Sequence, residues 1–267
     1  MDLTDRSILL TGAGSGIGRA LALELAQHPT RLALVGRRSE PLEEVAALVR
    51  RQGAEAVVIS ADLTADGAPA QVVAAAQEQL GGVDVLINNA GNVRAGRLEA
   101  IEESEVLAQI ALNLTAPILL TRAALPALRA SGEGLVVNVS SGLGLLGMAF
   151  YATYGATKAG IAHFGEALRR ELHGEGVHVL NVFPGATDTP MMDSSGARAE
   201  HGFDYESPEA VAAATVAGMI GGELTVLRGE STGQMLARNR EDPAGVDRIL
   251  AAGKAELEKV VTGHSSL

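Results

Sequence analysis

The sequence predicts an α/β fold in which helices cover both faces of a doubly wound parallel sheet, within a single domain of about seven strands. Two observations lead to this prediction. Short runs rich in β-forming residues alternate with longer stretches of helical periodicity, and the short runs are apolar almost throughout. The first pattern is typical of βαβ units, and the second is typical of strands buried on both faces. A length of 267 residues with 47% apolar content is sufficient for one large core.

The predicted strands follow the chain in order, and the first six each lead into a predicted helix. SILLT (7–11), LALVG (32–36) and AVVIS (56–60) precede helical periodicity at 16–28, 40–52 and 66–80. VDVLIN (83–88), LVVNVS (135–140) and VHVLNVF (177–183) precede helical periodicity at 103–127, 152–173 and 207–221. A last strand, LTVLR, is predicted at 224–228. The C-terminal extension, residues 241–267, resumes helical character from Val246 and is expected either as an extra helix or as a partly disordered tail.

The composition argues against several classes of protein. A formal net charge of −11 would repel a polyanion, so no nucleic-acid partner is expected. The chain has no cysteine for disulfides, and no apolar stretch approaches the roughly 18 residues of a membrane span, so we expect a cytoplasmic protein with no membrane partner. The histidines lack metal-ligand spacing, which predicts no metal site and ordinary positions at the surface or at helix ends. They are His28, His163, His173, His178, His201 and His264.

A glycine-rich segment, TGAGSGIG at 11–18, joins the first predicted strand to the first helix. Glycines allow a backbone to approach a pyrophosphate closely, and the N-terminus of a helix offers unpaired N–H groups and partial positive charge. The spacing is T-G-x-x-x-G-x-G and not G-x-G-x-x-G. A tight strand-to-helix connection is the alternative interpretation, and the position of the segment within a βαβ series favours phosphate binding.

The end of the second strand predicts which dinucleotide is bound. Gly36 stands where an acidic residue would hold a ribose 2′-hydroxyl, and Arg37 and Arg38 follow it. A guanidinium binds a 2′-phosphate, whereas a carboxylate would repel it. NADP(H) is therefore predicted in preference to NAD(H), with Arg37 favoured over Arg38 as the contact. The alternative is that both arginines are solvated residues at the start of a helix.

Tyr154 and Lys158 lie four residues apart in a predicted helix, which places them on the same face. A nearby ammonium favours the phenolate, so this spacing predicts that the pKa of Tyr154 falls below its ordinary value of about 10. Tyr151 has a glycine at the corresponding position and is expected to be a pocket wall or packing residue. A Y-x-x-x-K pattern alone is also common on ordinary helix surfaces, so the surrounding segments must decide.

Those segments resemble the short-chain dehydrogenase/reductase superfamily, specifically from Arg6 to Met192 and less distinctively to Arg228. The matching pieces are TGAGSGIG at 11–18, ADL at 61–63, NNAG at 88–91, Asn113 in ALNLTAP, VVNVSSG at 136–142, YGATK at 154–158 and PGATDTPM at 184–191. The resemblance implies a single Rossmann-fold domain over residues 1–267. It also implies an oxidoreductase that assembles as a homotetramer or homodimer.

The resemblance further implies a role for each matching residue. Tyr154 would be the general acid/base, Ser141 would polarise the substrate oxygen in preference to Ser140, and Lys158 would lower the tyrosine pKa and bind the nicotinamide ribose. Asn113 would hold a water in the proton relay. The residues implied in cofactor binding are Gly12, Ser15, Gly16, Ile17, Gly18, Arg37, Arg38, Asp62, Leu63, Asn89, Ala90, Gly91, Tyr154, Lys158, Pro184, Gly185 and Thr187.

The function expected from these residues is NADP(H)-dependent interconversion of a carbonyl and a secondary alcohol on a small apolar substrate. Apolar side chains flank the motifs and are expected to line the substrate pocket: Leu143, Leu145, Leu146, Met148 and Met191. One alternative is a 3-oxoacyl-thioester reductase, which the acidic chain makes less attractive. Another is a non-catalytic NADP(H)-sensing or scaffold protein. An epimerase or dehydratase is disfavoured because its T-G-x-x-G-x-x-G pattern and longer C-terminal domain are absent.

Overall fold

The computed structural model describes residues 1–198, 203 and 205–267, and it contains a seven-stranded parallel sheet. The strands are β1 (Ser7–Thr11), β2 (Arg31–Gly36), β3 (Glu55–Ser60), β4 (Val85–Asn88), β5 (Gly134–Val139), β6 (Val177–Phe183) and β7 (Thr225–Leu227). Their order is β3-β2-β1-β4-β5-β6-β7. The predicted fold class and the seven predicted strands are confirmed. The order reverses between β1 and β4, which creates a crevice at the carboxyl ends of the strands.

Helices fill the connections between the strands at nearly the predicted positions. They are α1 (Gly16–Leu25), α2 (Ser39–Arg51), α3 (Ala68–Leu80), α4 (Glu103–Ile110), α5 (Ala116–Ala130), α6 (Ala152–Glu171) and α7 (Pro208–Gly221). A π-helical turn, Ala111–Thr115, joins α4 to α5, so the helix predicted at 103–127 is continuous but locally widened. Such a turn leaves no clear periodicity signal, and π-bulges are frequent at functional sites.

Alternating side chains of each strand enter two separate cores, one on each face of the sheet. Ile8 and Leu10 of β1 pack with residues of α1, α2 and α7, whereas Leu9 between them packs with residues of α3, α5 and α6. All three side chains are fully buried. The continuous apolar runs of the sequence follow directly from this two-sided burial.

A row of buried asparagines crosses the sheet beneath α6. The Asn88 amide donates to Asn138 Oδ1 (3.0 Å), the Asn138 amide donates to Asn181 Oδ1 (3.2 Å), and the Asn181 amide donates to the carbonyl of Ala162 in α6 (2.8 Å). Gly165 of α6 lies directly over this row. Each side-chain NH₂ group of the row has an acceptor, whereas Asn88 Oδ1 is buried with no partner. The close approach of the helix supplies the last acceptor, so the row links α6 to β5 and β6.

The C-terminal region contains more structure than the single extra helix predicted. It forms α8 (Glu230–Glu241), α9 (Pro243–Ala252) and α10 (Lys254–Val261), followed by a short extended segment. The prediction missed α8 because its residues are mostly polar and show no apolar stripe. Proline at the first position of α9 and the Asp242 side chain, which accepts from Gly245 N (2.8 Å), explain the break between α8 and α9.

The continuous helix Glu103–Ala130 corrects one prediction from composition. By length and apolar content it is sufficient to cross a membrane, contrary to the expectation that no stretch approaches that length. Polar residues interrupt the apolar sequence of this helix, so it contains no unbroken apolar run of that length. A core helix of a soluble protein meets the same criteria, and α5 here packs against α3 and α6.

Gly165→Ala is predicted to destabilise the protein by about 2 kcal/mol or more, because overpacking would also break the asparagine row. A Cβ atom at Gly165 would lie 2.2 Å from Asn181 Oδ1 and 2.7 Å from Asn138 Nδ2. Urea unfolding would measure the change in free energy. The matched control is Gly82→Ala, where a Cβ meets nothing within 4 Å and the change should stay within about 0.5 kcal/mol. Equal stability of the two variants would contradict this account.

Candidate active site

A cavity of about 740 Å³ lies in the crevice at the carboxyl ends of the strands. This volume is within the usual range of small-molecule sites. The predicted catalytic residues Ser141, Tyr154 and Lys158 line it, and so do all the predicted cofactor-binding residues. Those residues are Gly12, Ser15, Gly16, Ile17, Gly18, Arg37, Arg38, Asp62, Leu63, Asn89, Ala90, Gly91, Tyr154, Lys158, Pro184, Gly185 and Thr187. Asn113 is the exception, because it lies behind the cavity wall.

The glycine loop forms one half of the cavity and leaves no room for side chains. Gly12 has φ +67°, and a Cβ atom there would lie 2.9 Å from the Cα of Ala90. A Cβ atom at Gly18 would lie 2.0 Å from the carbonyl oxygen of Gly12. Ser15, the N-cap residue of α1, makes no side-chain capping bond, and first-turn N–H groups have no partner inside a helix. This wall therefore suits a pyrophosphate.

Thr11 and Asn89 hold the glycine loop against the end of β4. The Thr11 hydroxyl accepts from the backbone N–H groups of Asn89 (3.0 Å) and Ala90 (3.1 Å). The Asn89 amide donates to the carbonyl of Thr11 (2.9 Å). These bonds fix the two strand ends at the point where the strand order reverses.

The end of β2 carries positive charge into the cavity. Gly36 is the last residue of β2, and the exposed side chains of Arg37 and Arg38 line the cavity beyond it. Asp62 lies on the opposite wall, where hydrogen bonds from Thr64 hold the pKa of its carboxyl below the ordinary value, with a smaller contribution from Arg37. No carboxylate occupies the end of β2 itself, so this region fits an additional phosphate.

The first turns of α6 bring Tyr154 and Lys158 together beside Ser141. The Lys158 ammonium lies 5.8 Å from the centroid of the Tyr154 ring and donates to the carbonyl of Val139 at the end of β5 (2.9 Å). The side chain of Ser141 lies close to that of Tyr154, and its hydroxyl accepts from Leu143 N (3.2 Å). Ser140, by contrast, is buried and donates to the carbonyl of Lys158 (2.7 Å), which leaves Ser141 as the serine beside the phenol.

The direction of the Tyr154 pKa shift differs from the sequence prediction. Burial raises the pKa of Tyr154 to about 12, and the neighbouring Ser141 side chain opposes this shift only in part. Burial also lowers the pKa of Lys158 to about 8. Spacing along a helix predicted the proximity of the two side chains correctly, but it carried no information on their exposure to water: Lys158 is 5% exposed, and Tyr154 is partly buried. Desolvation outweighs the lysine charge here.

Asn113 occupies the π-helical turn and connects the loop after β4 to α6 behind the cavity. Its Oδ1 accepts from Asn92 N (2.8 Å), and its amide donates to Asn92 O (2.8 Å) and to the Thr157 hydroxyl (3.2 Å). A Cβ atom at Gly91 would lie 3.2 Å from Asn113 Oδ1 and 3.5 Å from Lys158 Nζ. Asn113 is thus separated from the lysine by little more than this glycine.

The other half of the cavity is mostly apolar. Leu143, Leu146, Met148 and Met191 line it as predicted, but Leu145 does not. Met192, which follows Met191 in the sequence, lines it as well. Side chains that the sequence analysis did not place at the site complete this half: Phe203, Met235, Leu250, His264 and Leu267. Several come from the C-terminal region, which no motif connects to the site.

His264 corrects the prediction of ordinary surface or helix-end positions for the histidines. It is 1% exposed and hydrogen-bonds to Tyr151, so Tyr151 does have a partner, though not one on its own helix. His201 lies outside the described residues. Within the described part of the chain, no three His, Asp or Glu side chains come together in a group that could hold a metal ion.

Comparison with known proteins identifies the family to which this site belongs. The family model for short chain dehydrogenases matches residues 6–200. The chain belongs to the short-chain dehydrogenase family. It is 33% identical over 254 residues to the ketoacyl reductase HetN of Nostoc sp., covering 92% of this chain and 88% of that protein. The family resemblance inferred from the motifs is therefore confirmed. The predicted class of enzyme, an oxidoreductase, is confirmed at the level of the family.

Solved structures of short-chain dehydrogenases share the architecture. A short-chain dehydrogenase from Burkholderia cenocepacia, in complex with NADP, superimposes with a TM-score of 0.77 at 33% identity and covers 84% of this chain and 96% of that one. An actinorhodin polyketide ketoreductase variant with NADPH superimposes with a TM-score of 0.76 at 31% identity, covering 84% and 95%.

Lys158→Met is predicted to stabilise the ligand-free protein at pH 7 by about 1–2 kcal/mol, after allowing for the lost bond to Val139. The folded pKa of about 8 lies below the ordinary value of 10.5, so wild-type stability is reduced most below pH 8 and recovers as the pH rises to 10.5. The advantage of the variant should therefore shrink between pH 7 and 10. Urea unfolding across that range checks this, and a constant difference would contradict it.

Proposed function

We propose that this chain is an NADP(H)-dependent oxidoreductase that interconverts a carbonyl and a secondary alcohol on a small apolar substrate. The observation that supports this most is the position of the Tyr154 hydroxyl. The hydroxyl lies beside Ser141 and near the buried Lys158, in a cavity whose opposite half is the glycine loop. A proton donor, a second hydroxyl and a wall suited to a dinucleotide thus line the same cavity, as carbonyl reduction requires.

The side chains of the cavity provide the acid and the oxyanion donor. NADPH, when bound, supplies the hydride. Burial raises the pKa of Tyr154, so the phenol is protonated at neutral pH and is available to donate its proton to the substrate oxygen. Ser141 donates a second hydrogen bond to that oxygen and stabilises the developing negative charge. Lys158, held by the carbonyl of Val139, returns a proton to the phenol, and a water held by Asn113 would supply the lysine in turn.

The preference for NADP(H) over NAD(H) rests on Arg37 and Arg38. Both guanidinium groups line the cavity beyond Gly36, and nothing acidic ends β2 to repel a 2′-phosphate. The structural neighbours from Burkholderia cenocepacia and the polyketide ketoreductase are complexes with NADP and NADPH, which supports the same assignment. NAD(H) is the alternative cofactor.

A 3-oxoacyl thioester is the second candidate substrate, because two relatives carry the names ketoacyl reductase and polyketide ketoreductase. The apolar lining formed by Leu143, Leu146, Met148 and Met191 favours a compact ketone. Reduction of acetophenone and of the N-acetylcysteamine thioester of acetoacetate, each followed by NADPH oxidation, separates the two candidates. Binding of NADPH without turnover of either compound would instead favour a sensing or scaffold role.

We further propose that the protein forms a homodimer or homotetramer in the cytoplasm. Apolar side chains on the outer face of α4 and α5 remain exposed, including Leu107 (56%) and Leu119 (40%). Apolar side chains such as these become buried in contacts between subunits, whose cores are more apolar than the rest of the surface. Sedimentation velocity of the purified protein would establish the number of subunits.

Tyr154→Phe is predicted to lower kcat for ketone reduction by about 10² to 10⁴, since it removes the proton donor. NADPH affinity should stay within a few-fold, because the ring and Lys158 remain. Steady-state kinetics and equilibrium binding of NADPH measure the two effects. Tyr205→Phe is the matched control: its hydroxyl bonds to Ala197 O (3.2 Å) outside the catalytic group and should leave kcat almost unchanged. Wild-type kcat in Tyr154→Phe would refute the assignment of the acid.

Gly36→Asp combined with Arg37→Ala is predicted to reverse the cofactor preference toward NAD(H). A Cβ atom at Gly36 lies 3.5 Å from Leu42, so the aspartate fits without strain. Loss of one charge-assisted bond changes the NADP/NAD ratio of kcat/KM by about tenfold or more. Arg51→Ala, at the far end of α2, controls for the general loss of positive charge. An unchanged ratio would remove Arg37 from the site.

A further inference from the structure

His264 is a buried polar residue in the apolar half of the cavity, and the proposed chemistry does not use it. It is 1% exposed, and its two ring nitrogens have separate partners. Nε2 lies 3.0 Å from the carbonyl oxygen of Met191, and Nδ1 lies 2.9 Å from the hydroxyl of Tyr151. Its neighbours Tyr151, Met191 and Leu267 all line the cavity.

The two bonds assign the proton on the imidazole. A carbonyl oxygen only accepts, so Nε2 carries the hydrogen and donates it to Met191. In the neutral ring Nδ1 must then accept, and the Tyr151 hydroxyl donates to it. Burial lowers the pKa of His264, which agrees with a neutral ring. Both ring nitrogens of His264 are consequently bonded within the protein, and the ring forms part of the cavity wall.

The ring of Tyr151 lies between His264 and the proposed acid, Tyr154. The rings of His264 and Tyr151 meet edge to face, with centroids 5.8 Å apart, and the rings of Tyr151 and Tyr154 do the same at 6.3 Å. Phe150, immediately before Tyr151, has φ +71°, a strained conformation for a bulky residue, and its carbonyl accepts from Gly96 N (2.8 Å). The hydrogen bond from Gly96 therefore fixes the backbone at Phe150, the residue that precedes Tyr151 in the cavity wall.

Residues 262–267, which we call the closing segment, join two loops that border the same wall. Ala95 N donates to the carbonyl of His264 (2.9 Å), and Ser266 N donates to the carbonyl of Val93 (3.0 Å). On the other side, Ser265 N donates to the Ser194 hydroxyl (3.0 Å). The loop after β4 and the loop after β6 are thus held together by one segment, with His264 at its centre.

We propose that His264 is a positioning and specificity-determining residue that, through Tyr151 and the closing segment, fixes the wall of the substrate pocket. This inference rests on the proposed ketone reduction and deepens it. The wall presents ring faces and carbon atoms, and its hydroxyl and imidazole groups are already bonded to each other. The pocket therefore selects compact apolar ketones, and a bulky ketone requires this wall to move.

Ketone specificity tests the proposal, with acetophenone as the compact substrate and 2-acetylnaphthalene as the bulky one. His264→Ala should shift the kcat/KM ratio toward 2-acetylnaphthalene by about tenfold, mainly through a higher KM for acetophenone. NADPH affinity should stay within about twofold, since the glycine loop is remote. His264→Gln, which can still donate to Met191, should recover part of the wild-type ratio. His163→Ala is the matched control, because that side chain is 80% exposed, and it should show no shift.

Tyr151→Phe keeps the ring and removes only the hydroxyl, so it isolates the bond to His264. It should shift the ratio in the same direction, and the double variant with His264→Ala should shift it no further than His264→Ala alone. Additive shifts would overturn the coupling. A uniform loss of kcat for both ketones, with unchanged KM, would reduce His264 to a purely structural role and overturn the proposal.

Two measurements that need no turnover separate this inference from the proposed function. Hydrogen exchange at Ala95 and Ser266 should be at least about tenfold faster in His264→Ala than in His163→Ala. Ligand-observed NMR gives the ratio of dissociation constants of the two ketones in the presence of NADPH or NADP⁺. If neither ketone is reduced but the hydrogen-exchange rates and the binding ratio both change, the proposed reaction is wrong and the inference about His264 still holds. If the ketones are reduced and neither quantity changes, the inference about His264 fails.

Discussion

The buried amine of Lys158 is the constraint around which the site is built. Its ammonium donates to Val139 at the end of β5, and its own backbone carbonyl accepts from Ser140. A Cβ atom at Gly144 would lie 2.9 Å from that carbonyl oxygen, so the turn carrying Ser141 approaches α6 as closely as a glycine permits. β5, the turn that carries Ser141 and α6 therefore meet at Lys158. An amine buried to this extent costs stability, which is the usual sign of a group retained for function.

Much of the fold could be read from the sequence because its signals are local. Each strand is a short apolar run, and Gly18 is required by its close approach to the carbonyl oxygen of Gly12, six residues earlier. The spacing of Tyr154 and Lys158 likewise follows from the geometry of one helix. Arg37 and Arg38 were located by their place after β2. These are all consequences of chain positions close to one another.

The features that sequence analysis missed depend on contacts between distant parts of the chain. His264 meets Tyr151 across 113 positions, and no spacing rule connects them. The pKa of Tyr154 depends on burial by neighbours from several elements, so a rule based on one lysine gave the wrong direction. The helix α8 lacks an apolar stripe, and the position of Leu145 outside the cavity depends on the course of a single turn. None of these is a property of a short window of sequence.

The position of Leu267 in the cavity wall has a practical consequence for handling the protein. A peptide appended directly after this residue would begin at the rim of the substrate pocket, where it could obstruct entry or displace the closing segment. The amino group of Met1 bonds to the carbonyls of Met219 and Ile220 at the end of α7, and none of these three residues lines the cavity. An affinity tag placed before Met1 is therefore expected to leave the pocket and the closing segment undisturbed.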